Sequence, residues 1–129
     1  MFSHVMYTTL FVRDQSKALD FYTENFGFVK RSDFAGPEGR FLTMGFEGQD
    51  EGQDIEVVLW PGTQGHGNAS SPAPGPLIIE SDDLRKDFET LQSKGVQFVQ
   101  PAPEDYPFGV RIEALDPDGN RVSLRQRRR

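Results

Sequence analysis

The chain is 129 residues long, enough for one ordinary domain and too short for two independent ones. Its 36% hydrophobic and 26% charged residues suit a globular core, and a net charge of −6 argues against general nucleic-acid binding, which needs a basic footprint. The absence of cysteine excludes disulfides, thiolate nucleophiles and Cys-based zinc sites.

His4 to Val12 reads as a strand whose alternation sets Tyr7, Thr9 and Phe11 on one face and Thr8, Leu10 and Val12 on the other. Asp14 is placed to cap a helix over Gln15 to Asn25, in which Ala18, Leu19, Phe21, Tyr22 and Phe26 recur at helical spacing. Gly27 suits its C-terminal stop. Phe28 to Phe34 reads as a short strand, Ala35 to Gly39 as a turn, and Arg40 to Phe46 and Asp54 to Trp60 as strands joined by the acidic loop Glu47 to Asp54. That loop is a solvated hairpin tip that could also steer a cationic ligand. The order of this first module, about residues 1–61, is β-α-β-β-β.

Residues 62–75 have linker composition, with Gly62, Gly65, Gly67, Pro72 and Pro74 in quick succession. The pattern then repeats over about 76–127. Pro76 to Glu80 reads as a strand, Asp82 or Asp83 as a cap, and Leu84 to Lys94 as a helix with Leu84, Phe88 and Leu91 inward. Gly95 is its stop, and Val96 to Val99 a strand. A Pro-rich turn leads into a hairpin closed by Asp116-Pro117-Asp118-Gly119-Asn120, where Pro117 fixes φ while Gly119 and Asn120 tolerate positive φ. Neither half has core enough to stand alone, so the expected fold is α+β. Two βαβββ modules would form a U-shaped mixed sheet around a central cleft, helices outside, as a single domain over 1–129. Arg125, Arg127, Arg128 and Arg129 read as a solvated tail. No basic segment with an apolar core opens the chain and no apolar run reaches membrane-spanning length, so a cytoplasmic location without a membrane partner is expected.

Three segments carry a resemblance. They are Val12 to Tyr22 with Phe26-Gly27-Phe28; Ile55-Glu56-Val57-Val58-Leu59; and Phe108 to Arg111 with Asp116 to Leu124. Together they resemble the vicinal oxygen chelate superfamily of glyoxalases, bleomycin-resistance proteins and extradiol dioxygenases. The resemblance implies a divalent metal at the centre of the sheet, ligated from four strand positions that here are Tyr7, Glu56, Pro76 and Ser123. Of these only Glu56 is a usual ligand; Pro76 has no side-chain donor and Ser123 is a poor one. His4 lies three residues before Tyr7 and His66 in the linker, so neither supplies metal-ligand spacing. No metal and no other cofactor is therefore expected.

By strand alternation Glu56, Val58 and Trp60 share the cavity side with Tyr7, Thr9 and Phe11, joined by Ile78 and Glu80 and by Arg121, Ser123 and Arg125. Phe108 and Tyr106 would form a lip. The aromatic residues read either as core filling or as ligand contacts. Glu56, costly to bury unpaired, reads as a partner of Arg111 or Arg121, as a contact for a cationic or hydroxylated ligand, or as a general base. The leading expectation is a glyoxalase/bleomycin-resistance-like protein with a degraded metal site. It would bind a small aromatic or cationic molecule through Tyr7, Thr9, Phe11, Glu56, Val58, Trp60, Phe108, Arg121 and Ser123. The alternatives are a metal-dependent lyase, isomerase or dioxygenase with Glu56 as the best catalytic candidate, and a non-catalytic dimeric module with a filled cleft. A homodimer is expected in either case, paired within or across chains.

Overall fold

The structure, a computed structural model, describes residues 1–48, 55–63 and 74–128. His66, most of the linker, the tip of the acidic loop and Arg129 lie outside the described residues. The chain divides into two compact units, Met1–Gln64 and Gly65–Arg129. The first is a βαβββ module, the second repeats that order with one additional short strand, and the α+β class expected from the sequence is the one observed.

In the first unit β1 (Tyr7–Val12) leads into α1 (Gln15–Phe26), followed by β2 (Phe28–Gly36), β3 (Gly39–Phe46) and β4 (Glu56–Pro61). Asp14 caps α1, its carboxylate accepting from the Lys17 N–H at 3.0 Å and satisfying one of the helix's orphan donors. Gly27 ends it in the left-handed conformation at φ 80° with its N–H on the Tyr22 carbonyl, a geometry that costs other residues strain. The strands run in the order β1-β4-β3-β2, with β1 parallel to β4 and the other pairs antiparallel. Period-two alternation turns Leu10, Val12, Leu42, Met44, Val57 and Leu59 to one face, all buried, with Ala18 and Tyr22 of α1. Each such Leu contributes about 1.5–3 kcal/mol by leaving water. Tyr22 meets Phe28 edge-on at 5.8 Å, and Phe28 stacks on Phe46 at 4.2 Å. The side chain of Gln15 ties the helix to the sheet by donating to the Arg40 and Leu59 carbonyls.

The turn expected over Ala35 to Gly39 is shorter than that. β2 runs on to Gly36, which pairs with Gly39, leaving only Pro37 and Glu38 in the turn. Gly39 at φ 135° permits the tight reversal.

The second unit contains β5 (Leu77–Glu80), α2 (Leu84–Ser93), β6 (Gln97–Phe98), β7 (Glu104–Tyr106), β8 (Gly109–Leu115) and β9 (Arg121–Arg127). The strand order is β5-β9-β8-β6, with β7 also pairing on β8 and β5 parallel to β9. Asp83 caps α2 as Asp14 caps α1, accepting from the Lys86 N–H at 3.3 Å. Leu84, Phe88 and Leu91 are buried as the helical spacing predicts. They share the core side with Leu77, Val122, Leu124, Ile112 and Ala114.

β7 is hidden in the sequence because three residues beside prolines show no alternation; only pairing with β8 defines it. In the closing hairpin Gly119 has φ 82°, but Asn120 does not adopt positive φ. Asn120 serves instead through hydrogen bonds. Buried Asp116 accepts from the Asp118 and Asn120 N–H groups at 2.9 and 2.7 Å and from the Asn120 side chain at 3.0 Å. Among the described residues no helix is long and apolar enough to cross a membrane.

Candidate functional site

The first unit's sheet has a second face, opposite the one packed on α1. Tyr7, Thr9 and Phe11 of β1 are Cα partners of Glu56, Val58 and Trp60 of β4, as alternation predicts. The sequence reading missed two aromatic neighbours, Phe34 and Phe41. The pairing of β2 with β3 slips by one residue at Arg31, so that Lys30 partners Met44 but Ser32 partners Thr43. This bulge reverses the facing of the rest of β2, and Phe34 lies opposite Phe41 on the Tyr7 side. Tyr7 meets Phe41 edge-on at 5.6 Å, and Phe41 meets Phe34 at 5.3 Å. Arg31 lies across Gly45, where a Cβ would come 3.1 Å from its Nε. Tyr7 and Phe34 are exposed, while Phe11, Phe41 and Trp60 are half-buried.

Glu56 stands among these rings. Its Oε1 accepts from the Thr43 hydroxyl at 2.7 Å, and that hydroxyl accepts the Ser32 N–H at 3.0 Å. The bulge thus orients Thr43, and Thr43 orients Glu56. Among the described residues Glu56 has no ion-pair partner. Thr43, wholly buried, was not foreseen; a lone hydroxyl in Phe41-Leu42-Thr43-Met44 is its only trace in the sequence.

In the second unit, Ser123 is wholly buried. It accepts the Gly75 N–H at 2.8 Å and donates to Glu113 Oε2. Glu113, 6% exposed and also unforeseen, takes a second hydrogen bond from Arg125 Nη2 at 2.7 Å. Its alternation with Ile112 and Ala114 marked it as facing away from the core, but burial of that face could not be read from β8 alone. The Cα partner of Ser123 is Ile78, and Pro76 lies just before β5. A Cβ at Gly75 would lie 2.0 Å from the Arg121 carbonyl oxygen, so the chain passes β9 there only as glycine. Arg121 is buried opposite Leu115, and Phe108 is 74% exposed at the turn between β7 and β8. His4 is exposed ahead of β1, its ring beside the Ser3 hydroxyl at 3.0 Å.

The four positions singled out by the resemblance therefore present a phenol and a carboxylate as strand partners in one unit, and a proline and an engaged hydroxyl in the other. Among the described residues no three or more His, Cys, Asp or Glu side chains gather as metal ligands.

Known proteins match this architecture closely. The chain is 32% identical to TnmS3, an antibiotic binding protein from Streptomyces sp. CB03234, covering 98% of both chains with a TM-score of 0.78. It is 31% identical to a glyoxalase/bleomycin resistance protein/dioxygenase superfamily member from Sphaerobacter thermophilus, covering 97% and 98% of the two chains with a TM-score of 0.76. A lactoylglutathione lyase of Neisseria meningitidis is 30% identical over 96% of this chain and 91% of its own. The profile of the Glyoxalase/Bleomycin resistance protein/Dioxygenase superfamily matches residues 2–124, spanning elements of both units, and the chain belongs to that superfamily.

Proposed function

We propose that this protein binds a small aromatic or cationic molecule on the aromatic face of its first unit, without a catalytic metal. The observation that carries this reading is the run of rings Tyr7, Phe41 and Phe34, with Phe11 and Trp60 on the same face, beside a half-buried carboxylate that accepts from the Thr43 hydroxyl and, among the described residues, has no ion-pair partner. The rings offer stacking and cation–π surface, and a carboxylate in such surroundings is relieved by a cation. The similarity to an antibiotic binding protein supports the same reading. The donors at Tyr7, Glu56, Pro76 and Ser123 do not suit a divalent ion, which prefers several imidazoles or carboxylates. The reading includes a cytoplasmic location and a homodimer, and light scattering can check the dimer.

Trp60 is the only tryptophan and reports on this face. Titration with 1-naphthylmethylammonium should quench its emission, and the uncharged 1-naphthylmethanol should bind about tenfold more weakly, the effect of roughly 1.4 kcal/mol. Glu56→Gln should erase the difference; indifference to that change removes Glu56 from the site.

A metal-dependent lyase, isomerase or dioxygenase is the second reading, favoured by the pairing of Tyr7 with Glu56 and by the similarity to lactoylglutathione lyase. Stoichiometric nickel, zinc, manganese or iron in protein purified without chelator, lost on Glu56→Ala, would overturn the metal-free reading.

A further inference from the structure

The second unit carries a cation that its own sheet leaves without a hydrogen-bonded acceptor. Arg111 lies on β8 with its side chain 48% exposed. Its nearest carboxylate oxygen, Glu104 Oε1, is 3.9 Å from Nε, beyond hydrogen-bond distance. The guanidinium carbon sits 5.0 Å from the centre of the Tyr106 ring. The register accounts for this: Glu104 and Tyr106 of β7 pair with Arg111 and Gly109, and so share one side of the sheet.

Arg125, the Cα partner of Arg111 on β9, approaches the same ring at 5.9 Å. Its donors are already committed, to Glu113 at 2.7 Å and to the Leu124 carbonyl at 2.9 Å. Two guanidiniums thus flank one phenol, Arg125 hydrogen-bonded to a buried carboxylate and Arg111 in a long, exposed ion pair with Glu104.

Phe108 completes the group. It is 74% exposed, and its ring meets Tyr106 at 5.8 Å. The turn that presents it is held in place. The Arg128 N–H donates to the Phe108 carbonyl at 2.8 Å, and Arg128 Nε to the Pro107 carbonyl at 3.2 Å. Gly109 follows at φ 144°, where a Cβ would lie 1.9 Å from the Gln126 oxygen, so only glycine closes this turn. An exposed phenylalanine on a turn so constrained loses little conformational freedom when a ring packs on it.

We propose that Arg111, Tyr106 and Phe108 form a subsite for an aryl carboxylate. The planar guanidinium fork matches a carboxylate with two parallel hydrogen bonds, Tyr106 supports the cation from its ring face, and Phe108 offers an edge to the aryl ring. A single negative charge suits the surroundings, since Glu104 and Glu113 nearby disfavour a phosphate dianion. The exposed Glu104 contact is weak enough for a ligand to displace. This subsite uses residues of the second unit alone, so it stands or falls separately from the face around Glu56.

The test is titration of the whole protein with 2-naphthoate and with its uncharged analogue 2-naphthamide, followed by amide and Arg Nε resonances. Naphthoate should shift Arg111 Nε and the Phe108 and Gly109 amides, with naphthamide at least tenfold weaker. Arg111→Gln should weaken naphthoate at least tenfold, Arg111→Lys less, and Phe108→Ala severalfold. Glu104→Gln, which removes the competing carboxylate and leaves Arg111 in place, should tighten it severalfold. That variant keeps the test decisive if an Arg111 variant fails to fold. Equal binding of the two naphthyl compounds, shifts that leave Arg111 untouched, or weaker binding in Glu104→Gln would overturn the proposal.

Discussion

At the scale of single residues, charge partners decide local behaviour. Asp33 on β2 receives two hydrogen bonds from Arg40, at 2.8 Å each, and lies 3.4 Å from Lys30. Hydrogen bonding to the Arg40 guanidinium holds its carboxyl at about 2, below the ordinary 3.8, and the same pairing raises the arginine. A depressed carboxylate contributes stability above its unfolded pKa and loses it as pH falls through the folded one. The contribution of Asp33 should therefore persist down to about pH 4 and fade as pH falls toward 2. Carboxyl NMR titration should find its midpoint near 2, and Arg40→Gln should return it toward 3.8; an unchanged midpoint in that variant would refute the pairing. Glu56 stood out in the sequence as a carboxylate in an apolar strand, whereas its partner Thr43 did not, because a hydrogen bond between neighbouring strands leaves no local mark.

At the scale of elements, helix caps and strand periods were legible and register was not. Asp14 and Asp83 each precede a helix by the same offset, and both accept the N–H three residues on. Asp14→Ala and Asp83→Ala should each destabilise by about 1 kcal/mol, read as a shift in urea midpoint with unchanged slope. A cost near zero for either would mean that its helix end is satisfied otherwise. The alternation in β1 and β4 placed Tyr7, Phe11, Glu56 and Trp60 on one face correctly. Simple alternation does not carry through Phe28 to Phe34, because one extra residue at Arg31 in β2 turns everything after it to the opposite face. β7 escaped for a related reason: its definition lies in its partner β8.

At the scale of the whole molecule, two similar units of about sixty residues follow one another, Met1–Gln64 and Gly65–Arg129. A domain of that size buries only about 60% of the surface its unfolded chain exposes, and here one helix covers one face of each sheet. Residues 1–64 expressed alone should unfold at low urea with a shallow slope; a steep transition at high urea would show the unit to be self-sufficient. The repeat of strand, cap, helix and hairpin was set by the sequence itself, since hydrophobic period, capping Asp and turn residues act within a few positions of one another. The Asp116 to Asn120 turn belongs to that class, its bonds all local. Only the tertiary structure decided which side chains meet across strands. It brought Phe34 to Phe41 through a bulge, gave Thr43 to Glu56, locked Ser123 against a buried Glu113, and set Arg111 beside Tyr106 with Glu104 Oε1 at 3.9 Å. Those contacts join side chains on neighbouring strands, at distances set by register and burial, which no local pattern encodes.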